Sequence, residues 1–242
     1  MPYSNKHLIE VICSFEFIDE GPKWDSIYFG SYYEKIKLHG FTERQERKGI
    51  MFQMFPTLAN SSLGPMSPVQ SQGEQIIFKN SNKNWGITLA KSSISFHVLK
   101  DYTQWENFRN DFIKPFYDFY LELGLGTGLR NCSVMYLNRL QKSAAENLSD
   151  YFTIISPLDR TFGAEQNTLV QRIFKGENDN FLIAKLNAFL LPNNLNNILV
   201  NLECGAISLA SAADWLDQAN NTHAPIQKFF ESIIKEKLRE EL

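Results

Sequence analysis

Tyr136, Asn138 and Arg139 stand together in the segment VMYLNRL. Their side chains point most directly to recognition chemistry. A guanidinium offers a planar fork of donors, and an amide offers both a donor and an acceptor. At a strand end such a pair can bind a carboxylate or phosphate, or hold a neighbouring loop. The other candidates carry less. The glycines of Gly124 to Gly128 leave an expected helix and enter an expected strand. That order is the reverse of the one that aims helix amides at a phosphate, and no Gly-Lys-Ser/Thr accompanies it. His7, His39, His97 and His223 are scattered, with no HxxxH or HxH pair, so no metal site is expected. No G-x-S-x-G elbow or other local nucleophile signature occurs. The acidic pairs Asp19-Glu20 and Glu240-Glu241 read as solvated faces at element ends.

Elements must position these residues, and hydrophobic period assigns most of them. Leu8 to Phe17 alternates, with Ile9, Val11, Cys13, Phe15 and Phe17 on one side, which predicts a half-buried strand. Asp25 to Leu38 predicts a helix stopped by Gly40. Ile50 to Phe55 reads as a strand, and Pro56 to Gly73 as a long exposed loop. Gln75 to Lys79, Trp85 to Ala90 and Ser93 to Leu99 predict a three-strand meander. Trp105, Phe108, Phe112, Phe116, Phe119 and Leu123 recur every three or four residues, so Thr103 to Leu123 predicts a helix packed by an aromatic stripe. Pro115 should kink it. Arg130 to Leu140 predicts a strand ending near Asn138 and Arg139, and Asp150 to Ile155 a short helix or irregular piece. Leu169 to Lys175, Phe181 to Leu190 and Asn197 to Glu203 predict a second run of strands. A helix over Ala212 to Asn220, an interruption at Asn221, Thr222 and Pro225, and a second helix over Ile226 to Glu241 complete the chain.

The order strand, helix, strands, long helix occurs about twice. It predicts an α+β fold: a mainly antiparallel sheet with the long helices on one face, in two pseudo-equivalent halves, 1–124 and 125–242, joined in one compact unit. The 242 residues carry 24 Lys and Arg against 27 Asp and Glu, a formal charge of −3, with 43% hydrophobic residues. That composition excludes a disordered or fibrous chain, and the charge does not point to nucleic acid as the partner. Three dispersed cysteines, Cys13, Cys132 and Cys204, fit neither a disulfide framework nor a zinc motif. No apolar run reaches the length of a membrane span and the start lacks signal-peptide character, so a cytoplasmic protein without membrane attachment is expected.

Five segments resemble a known family: HLIEVICSFEF, WDSIYFGSYYEKIK, DYTQWENFRNDF, VMYLNRL and HAPIQKFFESIIKEKLREEL. In this order they are similar to a sporadically distributed, functionally uncharacterised bacterial family of about 250 residues. Its members carry a "PL-x-EV" strand, a central "Y-I-N-R" strand and a terminal "H-x-x-I-x-x-x-F-E" helix. The resemblance matches Tyr136, Asn138 and Arg139 to the central motif, and His223, Ile226, Phe230 and Glu231 to the terminal one. Met135 stands where the family commonly has Arg, and Lys235 where it has Thr. The resemblance implies no established activity. A scattered distribution implies accessory genes, such as defence or toxin–antitoxin cassettes.

Without a catalytic signature, the expected function is a non-catalytic binding or docking protein in a bacterial multi-protein system. Its binding residues would be Tyr136, Asn138, Arg139 and His223. Its partner would be another protein of the same gene cluster, with no cofactor and no metal. The alternatives are an enzyme acting on a phosphorylated or nucleic-acid substrate through Asn138, Arg139 and acids such as Glu203, and a chaperone-like module holding extended peptide on sheet edges. The oligomeric state stays open.

Overall fold

The computed structural model describes residues 7–18, 26–53, 69–100, 102–141, 146, 148–154, 167–175, 181–191 and 194–241. Its strands are β1 (Leu8–Phe17), β2 (Glu43–Gln53), β3 (Val69–Asn80), β4 (Trp85–Ala90), β5 (Ser93–Leu99), β6 (Gly128–Gln141), β7 (Asn167–Lys175), β8 (Phe181–Leu191) and β9 (Asn194–Ser211). Among the described residues they form one antiparallel sheet of nine strands in the order β2-β3-β4-β5-β1-β6-β9-β8-β7. The fold is α+β with a dominant antiparallel sheet, as the sequence pattern requires. From β1 the chain goes out to one edge, β2, and meanders back until β5 pairs with β1. From β6 it goes out to the other edge, β7, and returns until β9 pairs with β6. The expected halves therefore meet at the central β1–β6 pair.

All the helices named here cover one face of the sheet. That face is built from Val11, Cys13, Phe15 and Phe17 of β1 and Ile94, Phe96 and Val98 of β5, all buried. Period two puts exactly these alternate residues on a common side. Helix α1 (Ser26–Lys37) sends the Tyr32 hydroxyl to the carbonyl of Phe116 at 2.9 Å. The aromatic helix comprises α2 (Trp105–Asn107), a π-helical turn (Phe108–Ile113) and α3 (Lys114–Glu122). Phe112 is buried, stacked on Trp85 at 4.4 Å and edge-on to Phe96 at 5.6 Å. The wide turn lies just before Pro115, whose ring would collide with the carbonyl four residues back and which has no N–H to give it.

Four boundaries depart from the sequence expectation, the first being β2, which begins at Glu43 and not at Ile50. β3 begins at Val69, so the end of the expected loop, through Gly73, is strand; positions 56–68 lie outside the described residues. β9 runs on past Glu203 to Ser211, where Gly205 and Ala206 hide the alternation that marks a strand. Helix α4 (Trp215–Ile233) passes through Pro225 unbroken. Proline removes one hydrogen bond, but Thr222 and Ile226 on either side are buried, which offsets that loss. The break comes instead at Ile234, extended at φ −84° and ψ 146° and bridged to Phe152, before α5 (Glu236–Glu241).

Candidate functional site

Tyr136 lies in β6 opposite Val11 of β1 and Leu202 of β9, so its side chain enters the face that the helices cover. There its hydroxyl meets two partners from distant segments. The Tyr102 hydroxyl is 2.8 Å away, and Nε2 of His223 in α4 is 3.0 Å away. His223 in turn stacks flat on Trp105, with ring centroids 4.3 Å apart and planes 3° from parallel. Trp105 Nε1 donates to Oδ1 of Asn220 at 3.0 Å, and Arg109 donates to the same oxygen at 2.8 Å. One turn of helix separates Asn220 from His223, and one turn separates Trp105 from Arg109, so each helix presents both of its residues on one side.

The electrostatics keep the Tyr102–Tyr136–His223 part of this network uncharged, beside the Arg109 guanidinium. Burial is the main cause that drives the His223 pKa down to about 4; Glu106 opposes the shift and Arg109 adds to it. Burial likewise raises the Tyr102 hydroxyl to about 12 and Tyr136 well above its ordinary value. At neutral pH the imidazole is uncharged and both phenols keep their protons. With Nε2 as acceptor, Tyr102 donates to Tyr136 and Tyr136 to His223; with the proton on Nε2 the order reverses. Every member is thereby engaged by another member. The arrangement ties α2, β6 and α4 together, and its imidazole is too weak a base for general-base catalysis near pH 7.

Sequence reasoning named Tyr136 and His223, and the structure brings them together. It separates the other two. Asn138 follows Tyr136 on the same face, half-buried and opposite Val200, whereas Arg139 emerges exposed on the opposite face. Neighbouring residues of a strand always diverge in this way, so the adjacent pair cannot form one clamp. Glu203 is also apart from Asn138: it pairs with Met135 and forms a 3.5 Å ion pair with Lys185. Burial raises the Glu203 pKa and lowers that of Lys185, each offset by the partner's charge. Tyr102, Trp105, Arg109 and Asn220 were missed. The clue available was the i, i+4 spacing of Trp105 and Arg109 in DYTQWENFRNDF.

The three cysteines, dispersed in sequence, fall on three adjacent strands and on the same buried face. Burial raises the Cys13 thiol well above its ordinary value, with contact from Cys132 adding to it, and raises Cys204 to about 12. Cys13 and Cys204 therefore stay protonated thiols at neutral pH. Among the described residues no group of three or more His, Cys, Asp or Glu side chains could hold a metal ion, and no helix is long and apolar enough to cross a membrane.

On the face without helices among the described residues, Thr88, His97 and Glu10 form a hydrogen-bonded row across β4, β5 and β1. The Thr88 hydroxyl lies 3.1 Å from His97 Nε2, and His97 Nδ1 lies 2.8 Å from Glu10. The order of groups is that of a nucleophile relay. The row, however, sits in the middle of a paired sheet, where the backbone amides that would form an oxyanion hole are spent on neighbouring strands.

No family model, no curated protein and no solved structure matches this chain.

Proposed function

We propose that the chain is a non-catalytic docking protein that receives an extended protein segment along the outer edge of β7. One observation carries this reading. Among the described residues β7 is an edge strand, and Leu169, Ile173 and Phe174 on it are 43%, 47% and 50% exposed. An edge strand offers a row of unpaired N–H and C=O groups, and natural sheets blunt such edges with charge. The opposite edge, β2, follows that rule with the exposed Glu43, Arg44 and Glu46. β7 carries the exposed Arg172 and Lys175 but also presents apolar side chains on both faces. Strand addition to such an edge gains main-chain hydrogen bonds and side-chain contacts together. The neutral, mutually engaged Tyr102–Tyr136–His223 network supports a scaffold role over bond chemistry. The resemblance to a scattered bacterial family is the ground for expecting the partner in the same gene cluster, within a defence or toxin–antitoxin type of system.

The test is a titration of the purified chain with the products of adjacent genes, followed by calorimetry. Ile173→Lys should weaken the complex at least about tenfold while the melting temperature holds, because the side chain is half exposed. An unchanged affinity in this variant overturns the reading.

A further inference from the structure

We infer that the segment received by β7 runs antiparallel to it and carries one carboxylate between two pairs of apolar residues, in the order apolar-apolar-acid-any-apolar-apolar. The inference rests on the docking reading and states the chemistry of its partner.

The sheet contains its own comparison. Counted outward from the central β1–β6 pair, β5, β4 and β3 on one side match β9, β8 and β7 on the other. β7 thus holds the place of β3. β3 is covered by β2, an antiparallel strand whose register sets Glu43 opposite Lys79. Among the described residues no strand does the same for β7. An incoming segment takes the place that β2 has in the first half, and every ladder of this sheet is antiparallel.

The side chains of β7 then set the pattern. Alternation puts Val170, Arg172 and Phe174 on the helix side and Leu169, Gln171 and Ile173 on the other. Arg172 is exposed in mid-strand, and its neighbour across the ladder is Ala184 of β8. Neither β7 nor β8 contains an Asp or a Glu. Glu203 of β9 lies on the opposite side of the sheet, paired with Lys185. Lys175 ends the strand with Glu177 and Asp179 close behind it in sequence, so Arg172 is the charge that selects. A carboxylate directly opposite Arg172 meets its planar donor fork, whereas a cation there is repelled. Apolar residues opposite Phe174, Ile173, Val170 and Leu169 cover the side chains that the edge leaves exposed. Read along an antiparallel partner, these demands give the order stated above.

The probe is the blocked, fluorescently labelled peptide SGVIETIVGS, whose Glu falls opposite Arg172 in that register. Anisotropy should show it binding the native chain, and changing its Glu to Lys should weaken binding at least about tenfold. Arg172→Glu should reverse the order, so that the Lys peptide binds this variant more tightly than the Glu peptide does. Misfolding cannot produce such a reversal, because it would weaken both peptides. Equal binding of the two peptides to the native chain, or an unchanged preference in Arg172→Glu, overturns the acidic partner, as does failure of the Glu peptide to bind. Ile173→Lys separates these failures from that of docking itself. If it weakens the complex with an adjacent-gene product while Arg172→Glu leaves that complex intact, docking at β7 stands and the carboxylate falls. If neither variant alters the complex, both fall.

Discussion

His223→Phe isolates the energy stored in the neutral histidine. Phenylalanine keeps the ring stacked on Trp105 and deletes the nitrogen that meets Tyr136. In the native chain the imidazole pKa falls from its ordinary 6.5 to about 4. Above pH 6.5 neither folded nor unfolded chain charges this group, and its contribution is complete. As pH falls below 6.5 the unfolded chain takes up a proton that the folded chain refuses until about pH 4. At about 1.4 kcal/mol per pH unit, that window corresponds to about 3.4 kcal/mol. The ring keeps some contact with solvent, and screening reduces the figure to about 2 kcal/mol. The variant has no such titration. It should be about 1 kcal/mol less stable than the native chain at pH 7, the worth of one hydrogen bond. At pH 4 it should be about 1 kcal/mol more stable, so the two profiles cross near pH 5. Urea unfolding followed by tryptophan fluorescence from pH 4 to 7.5 measures both. The other titrating groups are common to both chains and cancel in the difference. Parallel profiles across this range would refute the assignment of a buried, uncharged His223.

Phe112→Ala should cost about 3–5 kcal/mol, because the ring is fully buried between Trp85 and Phe96 and leaves a cavity; a loss below about 1 kcal/mol in denaturant titration would remove the stripe from the core. Lys185→Met leaves Glu203 buried without its ion-pair partner and should destabilise by about 3 kcal/mol. Burial already raises the Glu203 pKa, and loss of the cation raises it further, so the folded chain of this variant holds its proton more tightly than the unfolded one. Stability lost to Lys185→Met should therefore grow as pH rises from 5 to 8, and a loss that shrinks over that range would contradict the pairing.

The sheet was legible wherever burial is one-sided. β1, β4 and β5 alternate because one face meets helices and the other does not, and their residues declare this directly. Legibility failed where a second demand competed with alternation. In β9 the small residues Gly205 and Ala206 interrupt the pattern after Glu203. In α4 a proline reads locally as a stop, and only the packing of Thr222 and Ile226 against the sheet reveals that the helix continues. Tyr136 and His223 could be named separately from their segments. Their meeting with Tyr102, Trp105, Arg109 and Asn220 could not be read, because it depends on three elements converging across more than a hundred residues of chain.

The segments that carry the family resemblance and the edge proposed for docking occupy different parts of the molecule. HLIEVICSFEF and VMYLNRL form the paired central strands β1 and β6. DYTQWENFRNDF supplies Trp105 and Arg109, and the terminal segment supplies His223 of the network above β6. WDSIYFGSYYEKIK supplies Tyr32, which fastens α1 to α3. All five thus describe the scaffold: the central strands, the helices laid on them and the hydrogen bonds that lock the two together. β7 belongs to none of them. Its apolar residues stand four strands from β1, at the margin of the sheet, where a side chain can change without disturbing the core. The five segments therefore account for the centre of this fold, and the docking proposed for the chain is read from β7 alone.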